Sequence, residues 1–568
     1  MRLEVKPVDF ERFLGIASVF WRNNLPASDG DRWIVVEALH HQSRNVLRNL
    51  LFANALRRVE PARILVLTGT DEHWYGTIWA DFNVEKVERL CEAFHVAEVI
   101  DVHALADRFT AAPDGEPPAF DVAGERLVPS GEGPVRWSGI TPGKLDASTY
   151  ASVCRLDLVP RLDPEQREDA RYTGRGLRSA AFAGIYETLF RELDTVAFVT
   201  SHVDYDPWGL GVEAALRHEV PVVHVQSTGS LKAYTLFPEK VAGEPEGFRA
   251  EMTREIGRYF DDHVWANREI IRPSAELVAW RSRSNLGRPS WWRFGASAVC
   301  ELRTPGERAQ FRAYTMERLG LDPALPVVTV FNHAVSDALG TNRESFGDLA
   351  GWFEETVRAA PTLPAANWLV LDHPDQDKYD STGHFASVAE AHASFPNMVF
   401  MSSKDLSKNA LWSMTDLGLT VRGSVSNELP AFGIPVLQTG WSEWSSCSVS
   451  TVVTDRESYW KTLTSFIEAL ARGESLITAE QVERARLWLW FYRGAADVAS
   501  LLVPHWDLMP EQTHFRALEI NMRSVESDGD PLFSAVRRMW NRREPFLTRF
   551  DLTSAEALSE ALPADPRG

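Results

Sequence analysis

Residues 421–440, VRGSVSNELPAFGIPVLQTG, read as a strand end, a turn and the start of a helix. Leu417–Val421 is an apolar strand that breaks at Arg422-Gly423. Ser424, Ser426 and Asn427 then supply hydroxyl and amide groups suited to a helix start. Glu428 falls in the first turn, the end of the helix dipole that favours a carboxylate. About fifty residues upstream, the strand Trp368–Leu371 runs into Asp372, His373 and Pro374, where the proline stops the strand and sets the direction of the exit. Strand ends that feed helix N-termini are where α/β proteins hold phosphorylated ligands, because free N–H groups and the dipole point at the anion. Two such places in one half of the chain predict a parallel α/β unit with a nucleotide or sugar-nucleotide pocket.

The same alternation extends outward in both directions. Downstream and upstream lie strands Pro326–Phe331, Met398–Met401, Pro435–Gln438 and Val452–Thr454, a helix Phe346–Ala359 and a long helix Ala479–Leu502. The first half repeats the pattern with strands Ile34–Leu39, Arg63–Thr68, Val96–Val102, Thr195–Thr200 and Val220–Gln226, and helices Val46–Arg58, Gly176–Leu193 and Gly209–His218. The stretch Phe109–Gly143, rich in proline, glycine and charge, reads as an excursion or surface hairpin. Strands alternating with helices imply parallel sheets. The expected fold is α/β, with two Rossmann-like domains facing across a cleft and helices at the C-terminus. The expected division is 1–230, a helical connecting region 231–320, a second Rossmann-like domain 321–478, and C-terminal helices 479–568.

A chain of 568 residues is long enough for two such cores. A net charge of −20 argues against nucleic acid as the main partner, yet leaves room for a local arginine cluster to hold a phosphate. The four cysteines, Cys91, Cys154, Cys300 and Cys447, form no CxxC pair, which argues against structural zinc or a disulfide framework and fits a reducing cytoplasm. No apolar run reaches the roughly 18–20 residues that cross a bilayer, so work at a membrane would be peripheral, at the inner membrane surface. Of the 20 tryptophans, Trp488 and Trp490 read as core packing, whereas Trp291 and Trp292, flanked by Arg281, Arg283, Arg288 and Arg293, suit a lipid interface or sugar stacking.

Further candidates sit at other strand ends. FNHAVSDALG places Asn332, His333 and Asp337 after the first strand of the second unit, and Lys378 and Arg422 are cations able to neutralise a phosphate. In SHVDYDPWGLG, His202, Asp204 and Asp206 follow a strand of the first unit, where an imidazole or carboxylate could deprotonate an acceptor hydroxyl. His40, His41, Asp71, Glu72 and His73 occupy the equivalent places after two other strands. A metal is the weaker use of His202, Asp204 and Asp206, since no HExxH or Cys/His pattern supports it.

The series FNHAVSDA, WFEETV, NWLVLDHPD, GSVSNELPAFGIPVLQTG and VERARLWLWFYRGA, mainly within residues 327–503, resembles bacterial capsule and surface polysaccharide biosynthesis glycosyltransferases of GT-B type, including the Kdo transferases. The resemblance implies a nucleotide-sugar donor, CMP-Kdo or another CMP-sugar ahead of a UDP-sugar, and a glycan or glycolipid acceptor. It implies that His373-Pro374 with Ser424 and Ser426 hold the CMP moiety, or that Glu428 holds a ribose; the strand-end candidates His333, Lys378, Arg422 and Asn427, read from their chemistry, are expected to complete the donor site. No metal or other cofactor is implied. Two features depart from the family pattern: Asp372 stands where a lysine is common, and the first half lacks the acidic motif of the sialyltransferases. A UDP-sugar 2-epimerase, or a non-catalytic carbohydrate-binding scaffold of a polysaccharide assembly complex, is the alternative expectation.

Overall fold

The computed structural model describes residues 7–27, 30–75, 80–112, 118–131, 139–226, 231–243, 245–283, 304–341, 343–406, 408–503, 511–525 and 529–562. The segment with Arg288, Trp291, Trp292 and Arg293 lies outside them, as does Cys300. The chain divides into two compact units. Unit 1 comprises residues 1–156, 164–255 and 495–551, and unit 2 comprises residues 157–163, 256–494 and 552–568.

Unit 1 is built on a six-stranded sheet of β1 (Trp33–Glu37), β2 (Arg63–Thr68), β3 (Glu98–Asp101), β6 (Thr195–Thr200), β7 (Val222–Gln226) and β8 (Lys232–Leu236), in the order β3-β2-β1-β6-β7-β8. All neighbours run parallel except β8, which pairs antiparallel with β7. Every residue of β1 is buried, as a strand covered on both faces requires. Helices Ser43–Arg57 and Ala170–Glu192 are among those on this sheet, and the first is buried along its whole length. The stretch 109–143 contains a hairpin of β4 (Phe120–Val122) and β5 (Glu125–Leu127), joined by Ala123 and Gly124, both at positive φ. Such a two-residue turn matches the twist of a tight hairpin.

Two expectations about the segments that enter and leave this unit are corrected. The region after residue 230 opens with strand β8, not with helix. The helix expected over Ala479–Leu502 ends at Trp490 and is followed by a π-helical turn, Phe491–Ala495. Residues 496–499 are irregular, and the Val498 N–H donates to the Leu231 carbonyl (3.0 Å). The following helices Glu511–Ser524 and Pro531–Arg542 belong to unit 1, where they pack on helices Pro7–Asn24 and Ser43–Arg57. Phe515, Met522, Phe533 and Trp540 join the same core as Phe13, Trp21 and Leu51. Each large apolar side chain buried this way contributes about 1.5–3 kcal/mol.

Unit 2 repeats the architecture with β9 (Val327–Phe331), β10 (Asn367–Leu371), β11 (Met398–Met401), β12 (Leu417–Thr420), β13 (Val436–Gln438) and β14 (Thr451–Val452). Their order is β11-β10-β9-β12-β13-β14, and all pairs are parallel. Both units therefore have the Rossmann-like strand order, which confirms the expected α/β class. Among the described residues no helix is long and apolar enough to cross a membrane.

Candidate functional sites at the strand-order switch points

In an open parallel sheet the strand order reverses at one place, and loops leaving the carboxyl ends there diverge to open a crevice. In unit 1 this place lies between β1 and β6, and in unit 2 between β9 and β12.

At the unit 1 switch, Glu37 ends β1 and is wholly buried. Its Oε1 accepts from the backbone N–H groups of Leu39 (2.5 Å) and His40 (3.0 Å). Its Oε2 accepts from the Ser201 N–H (2.9 Å) and the Ser201 hydroxyl (2.7 Å) just beyond β6. One carboxylate thus ties both sides of the switch together. Burial alone would raise its pKa, but the donors from Ser201 and His40 outweigh that and hold it below the usual glutamate value.

Histidines surround this clamp. The His40 and His202 rings lie nearly parallel (11°) with centroids 6.1 Å apart, and His202 also meets Trp208 at 5.2 Å. Burial, then the neighbouring His202, lowers the pKa of His40 to about 4. Burial and the Arg249 charge lower that of His224, on β7, to about 3. Unprotonated imidazoles therefore line this crevice at neutral pH. The loop after β6 reaches Tyr205 at φ +65°, an uncommon conformation for a non-glycine residue, and enters a π-helical turn, Tyr205–Gly209. Such local strain and π-turns concentrate at functional sites.

The three candidate bases differ in their surroundings. His202 is half-buried and stacked. Asp206 is wholly buried; Arg175 donates to both of its oxygens, from Nη2 at 2.6 Å, and the Ser179 hydroxyl adds 2.9 Å. Asp204 is gripped by Arg249 through Nε (2.9 Å) and Nη2. Both candidate carboxylates are thus held in ion pairs, Asp206 by Arg175 and Asp204 by Arg249. Among the described residues no cluster of His, Cys, Asp or Glu side chains is arranged to hold a metal ion.

At the unit 2 switch, His333 follows β9 and its Nε2 accepts from the N–H groups of Val421 (3.2 Å) and Arg422 (3.1 Å), with the Thr420 hydroxyl at 3.0 Å. Burial, then the charges of Arg422, His373 and Arg343, keeps this imidazole neutral. The N–H groups expected to cradle an anion at Arg422 are thus filled by a side chain of the same unit. The expected helix is one turn, Val425–Glu428. Ser426 is buried, donates to the Gly423 carbonyl (2.8 Å) and accepts from Trp444 Nε1 (2.9 Å), so its role is internal. Arg422 turns away from solvent, donating to the Asp337 carbonyl (2.5 Å) with Glu344 at 3.4 Å. Buried Glu428 is paired with Lys408 (2.9 Å) and Arg493 (2.8 Å), and Asn427 is buried beside it.

Ser424 is exposed and His373 half-buried. The Asp375 N–H donates to His373 Nδ1 (3.2 Å), so the neutral ring that burial favours carries its proton on Nε2, available as a donor. Pro374 leads into the turn in which Lys378 pairs with Asp375 (2.7 Å), and Asp372 turns back to cap the Ser403 N–H (2.6 Å). The structure therefore brings His333, His373, Arg422 and Ser424 to successive strand ends and assigns Ser426 and Glu428 to internal contacts.

Sequence reasoning missed Glu37, Arg175, Arg249 and His224. A glutamate inside the apolar run WIVVEAL was a readable signal; Arg175 and Arg249 carried none, because their partners are distant in sequence.

No known protein-family profile matches the chain, and no curated protein matches it. Solved structures with detectable likeness include a UDP-GlcNAc 2-epimerase from Neisseria meningitidis bound to UDP-GlcNAc (9% identity, 81% of this chain and 99% of that one, TM-score 0.28). A glycosyltransferase from Rickettsia africae matches at 9% identity over 87% of this chain and 97% of its own, with a TM-score of 0.29. The O-GlcNAc transferase of Thermobaculum terrenum matches at 12% identity over 93% and 74%, with a TM-score of 0.28. Likeness at these TM-scores carries no argument about this chain.

Proposed function

We propose that the protein is a glycosyltransferase of surface polysaccharide synthesis. Its unit 2 would bind the sugar nucleotide, a CMP-sugar such as CMP-Kdo ahead of a UDP-sugar, and its unit 1 a glycan or glycolipid acceptor. The observation that carries the reading is His373. It is a neutral imidazole with its proton on Nε2, at a strand end next to the unit 2 switch point, in a loop that begins with the His-Pro pair of the resembled family. A neutral donor of this kind suits a phosphate oxygen that gains charge as the sugar leaves. The exposed hydroxyl of Ser424 and the ammonium of Lys378 add to it. In this reading His202 takes the proton from the acceptor hydroxyl, and the ion pairs of Asp204 and Asp206 keep its loop in place. No step in this scheme calls on a metal.

The test is a thermal-shift panel of CMP, UDP, GDP and ADP. A nucleotide at one hundred times its Kd stabilises the native state by about 2.7 kcal/mol. One nucleotide is expected to shift the melting temperature, His373→Ala to abolish that shift, and His202→Ala to retain it. No shift with any nucleotide, or an unchanged shift in His373→Ala, would overturn the donor assignment. Turnover of the responsive sugar nucleotide without acceptor would indicate an epimerase instead.

A further inference from the structure

Unit 1 holds a cavity of about 480 Å³ on the far side of Arg175 from Asp206, within the range of about 300–1,000 Å³ typical of small-ligand sites. One wall is the loop after β2, with Thr70, Asp71 and His73, and the other is the start of helix Ala170–Glu192. That helix presents Arg171, Gly174, Arg175 and Arg178, spaced so that all four fall on one face. The N-terminus of the helix is already capped by Asp169, which accepts from the Tyr172 N–H (2.7 Å), so the positive charge of this wall is that of the arginines.

The wall alternates acceptors with donors. Asp71 is buried and ionised: burial would raise its pKa, but the Arg175 charge and hydrogen bond (2.7 Å) hold it below the usual aspartate value. Arg178 reaches Asp107 and His103, yet its buried Nε has no hydrogen-bond partner, with Asp71 Oδ2 at 3.6 Å. Val153, Leu156 and Ala170 supply apolar surface. A small adjoining cavity shares Thr70 and Asp71 and adds Trp74 and Trp208.

We propose that this cavity is a binding subsite for a sugar ring bearing one carboxylate or phosphate. Ring hydroxyls both donate and accept, which suits alternating carboxylate and guanidinium groups. The apolar ring face suits the aliphatic and indole surface. A carboxylate or phosphate, each offering two oxygens side by side, suits the forked donors of Arg171, with the charge of Arg178 beside it. That this ring is the end of an acidic acceptor glycan rests on the transferase reading; the subsite itself does not.

The full chain is titrated with glucuronate, glucose 6-phosphate and glucose by isothermal calorimetry, in parallel with Arg171→Gln and Arg178→Gln, which leave the buried pairs of Arg175 with Asp71 and Asp206 in place. At least one anionic sugar is expected to bind saturably, at least tenfold more tightly than glucose, and the stronger of the two identifies the anion. Each variant is expected to weaken it tenfold or more, with the melting temperature of the free Arg171→Gln protein unchanged. Absence of saturable binding, equal binding of glucose, or unaltered affinity in both variants would overturn the proposal. The nucleotide shift, read on the same samples, separates the two ideas. Sugar binding without any nucleotide response refutes the transferase reading alone, and a nucleotide response without sugar binding refutes the subsite alone.

Discussion

Replacing Glu37 by glutamine tests whether one buried carboxylate holds the unit 1 switch point together. The native side chain receives four donors at 2.5–3.0 Å, two on each oxygen. Glutamine keeps one acceptor oxygen and presents an NH2 group in place of the other. Its least costly orientation keeps the carbonyl on Leu39 and His40 and turns the NH2 toward Ser201, whose hydroxyl can rotate to accept. The Ser201 N–H is then stranded, at about 1–3 kcal/mol. The two surviving backbone bonds change from charge-assisted to neutral and lose about 1 kcal/mol each. The total is about 3–5 kcal/mol. Glu37→Ala strands all four donors and removes more, enough to compromise a unit of ordinary stability. Hydrogen exchange read on peptides covering 33–50 and 195–210 measures the effect where it arises, without assuming that both units unfold together. Glu37→Gln within 1 kcal/mol of the unsubstituted chain, or no more protected than Glu37→Ala, would refute the clamp.

Two further expectations concern the same unit. Gly69 follows β2 at φ +128°, and a Cβ there would lie 2.2 Å from Asp101 Oδ1, so Gly69→Ala is expected to lower stability by at least about 2 kcal/mol through backbone strain and displacement of Asp101. A melting temperature unchanged by that substitution would remove the argument. His40, at about 4, and His103 and His224, both at about 3, stay neutral in the fold while the unfolded chain protonates them near 6.5. Because the unfolded state then binds more protons, their contribution is fully present above pH 6.5 and is lost as pH falls toward 4 and below. Three such groups give a slope of about 4 kcal/mol per pH unit near pH 5. Urea unfolding of equal midpoint at pH 7 and pH 5 would contradict it.

Strands were legible where one short apolar run is buried on both faces. Arg63–Thr68, Thr195–Thr200 and Met398–Met401 were placed to the residue. Strand β8, KAYTL, escaped notice because its apolar content is modest and its burial depends on β7 and on Phe546, some three hundred residues away. The long C-terminal helix was overextended because apolar spacing continues past Trp490, whereas the backbone of Val498 bonds to Leu231 instead. At the sites, residue type marked the loops after the strands, and the ion pairs that hold their carboxylates were not readable from it. Asp204 finds Arg249 45 residues away, Asp71 finds Arg175 104 away, and Glu428 finds Arg493 65 away. Whether a carboxylate is a base or half of an ion pair depends on partners that local pattern does not reveal.

The two switch points solve one mechanical problem with bridges of different charge. In each, a side chain leaving the first strand reaches backbone N–H groups beyond the fourth: Glu37 to Ser201 in unit 1, and His333 to Val421 and Arg422 in unit 2. The unit 1 bridge is an anion, so a second anion beside it would meet repulsion in a buried setting where Coulomb terms are strong. An anionic ligand of unit 1 is therefore better placed along the arginine face that runs past the ends of β2 and β3. The unit 2 bridge is a neutral imidazole and cancels none of the positive potential of Arg422 and Arg343, whose charges already depress the pKa of His333. A phosphate near this bridge gains from that potential. Exchanging the bridges' charge, by His333→Glu, should therefore weaken nucleotide binding even though a carboxylate can accept the same two N–H bonds; nucleotide affinity equal to that of the unsubstituted chain would show that the field at this switch point is irrelevant to the ligand.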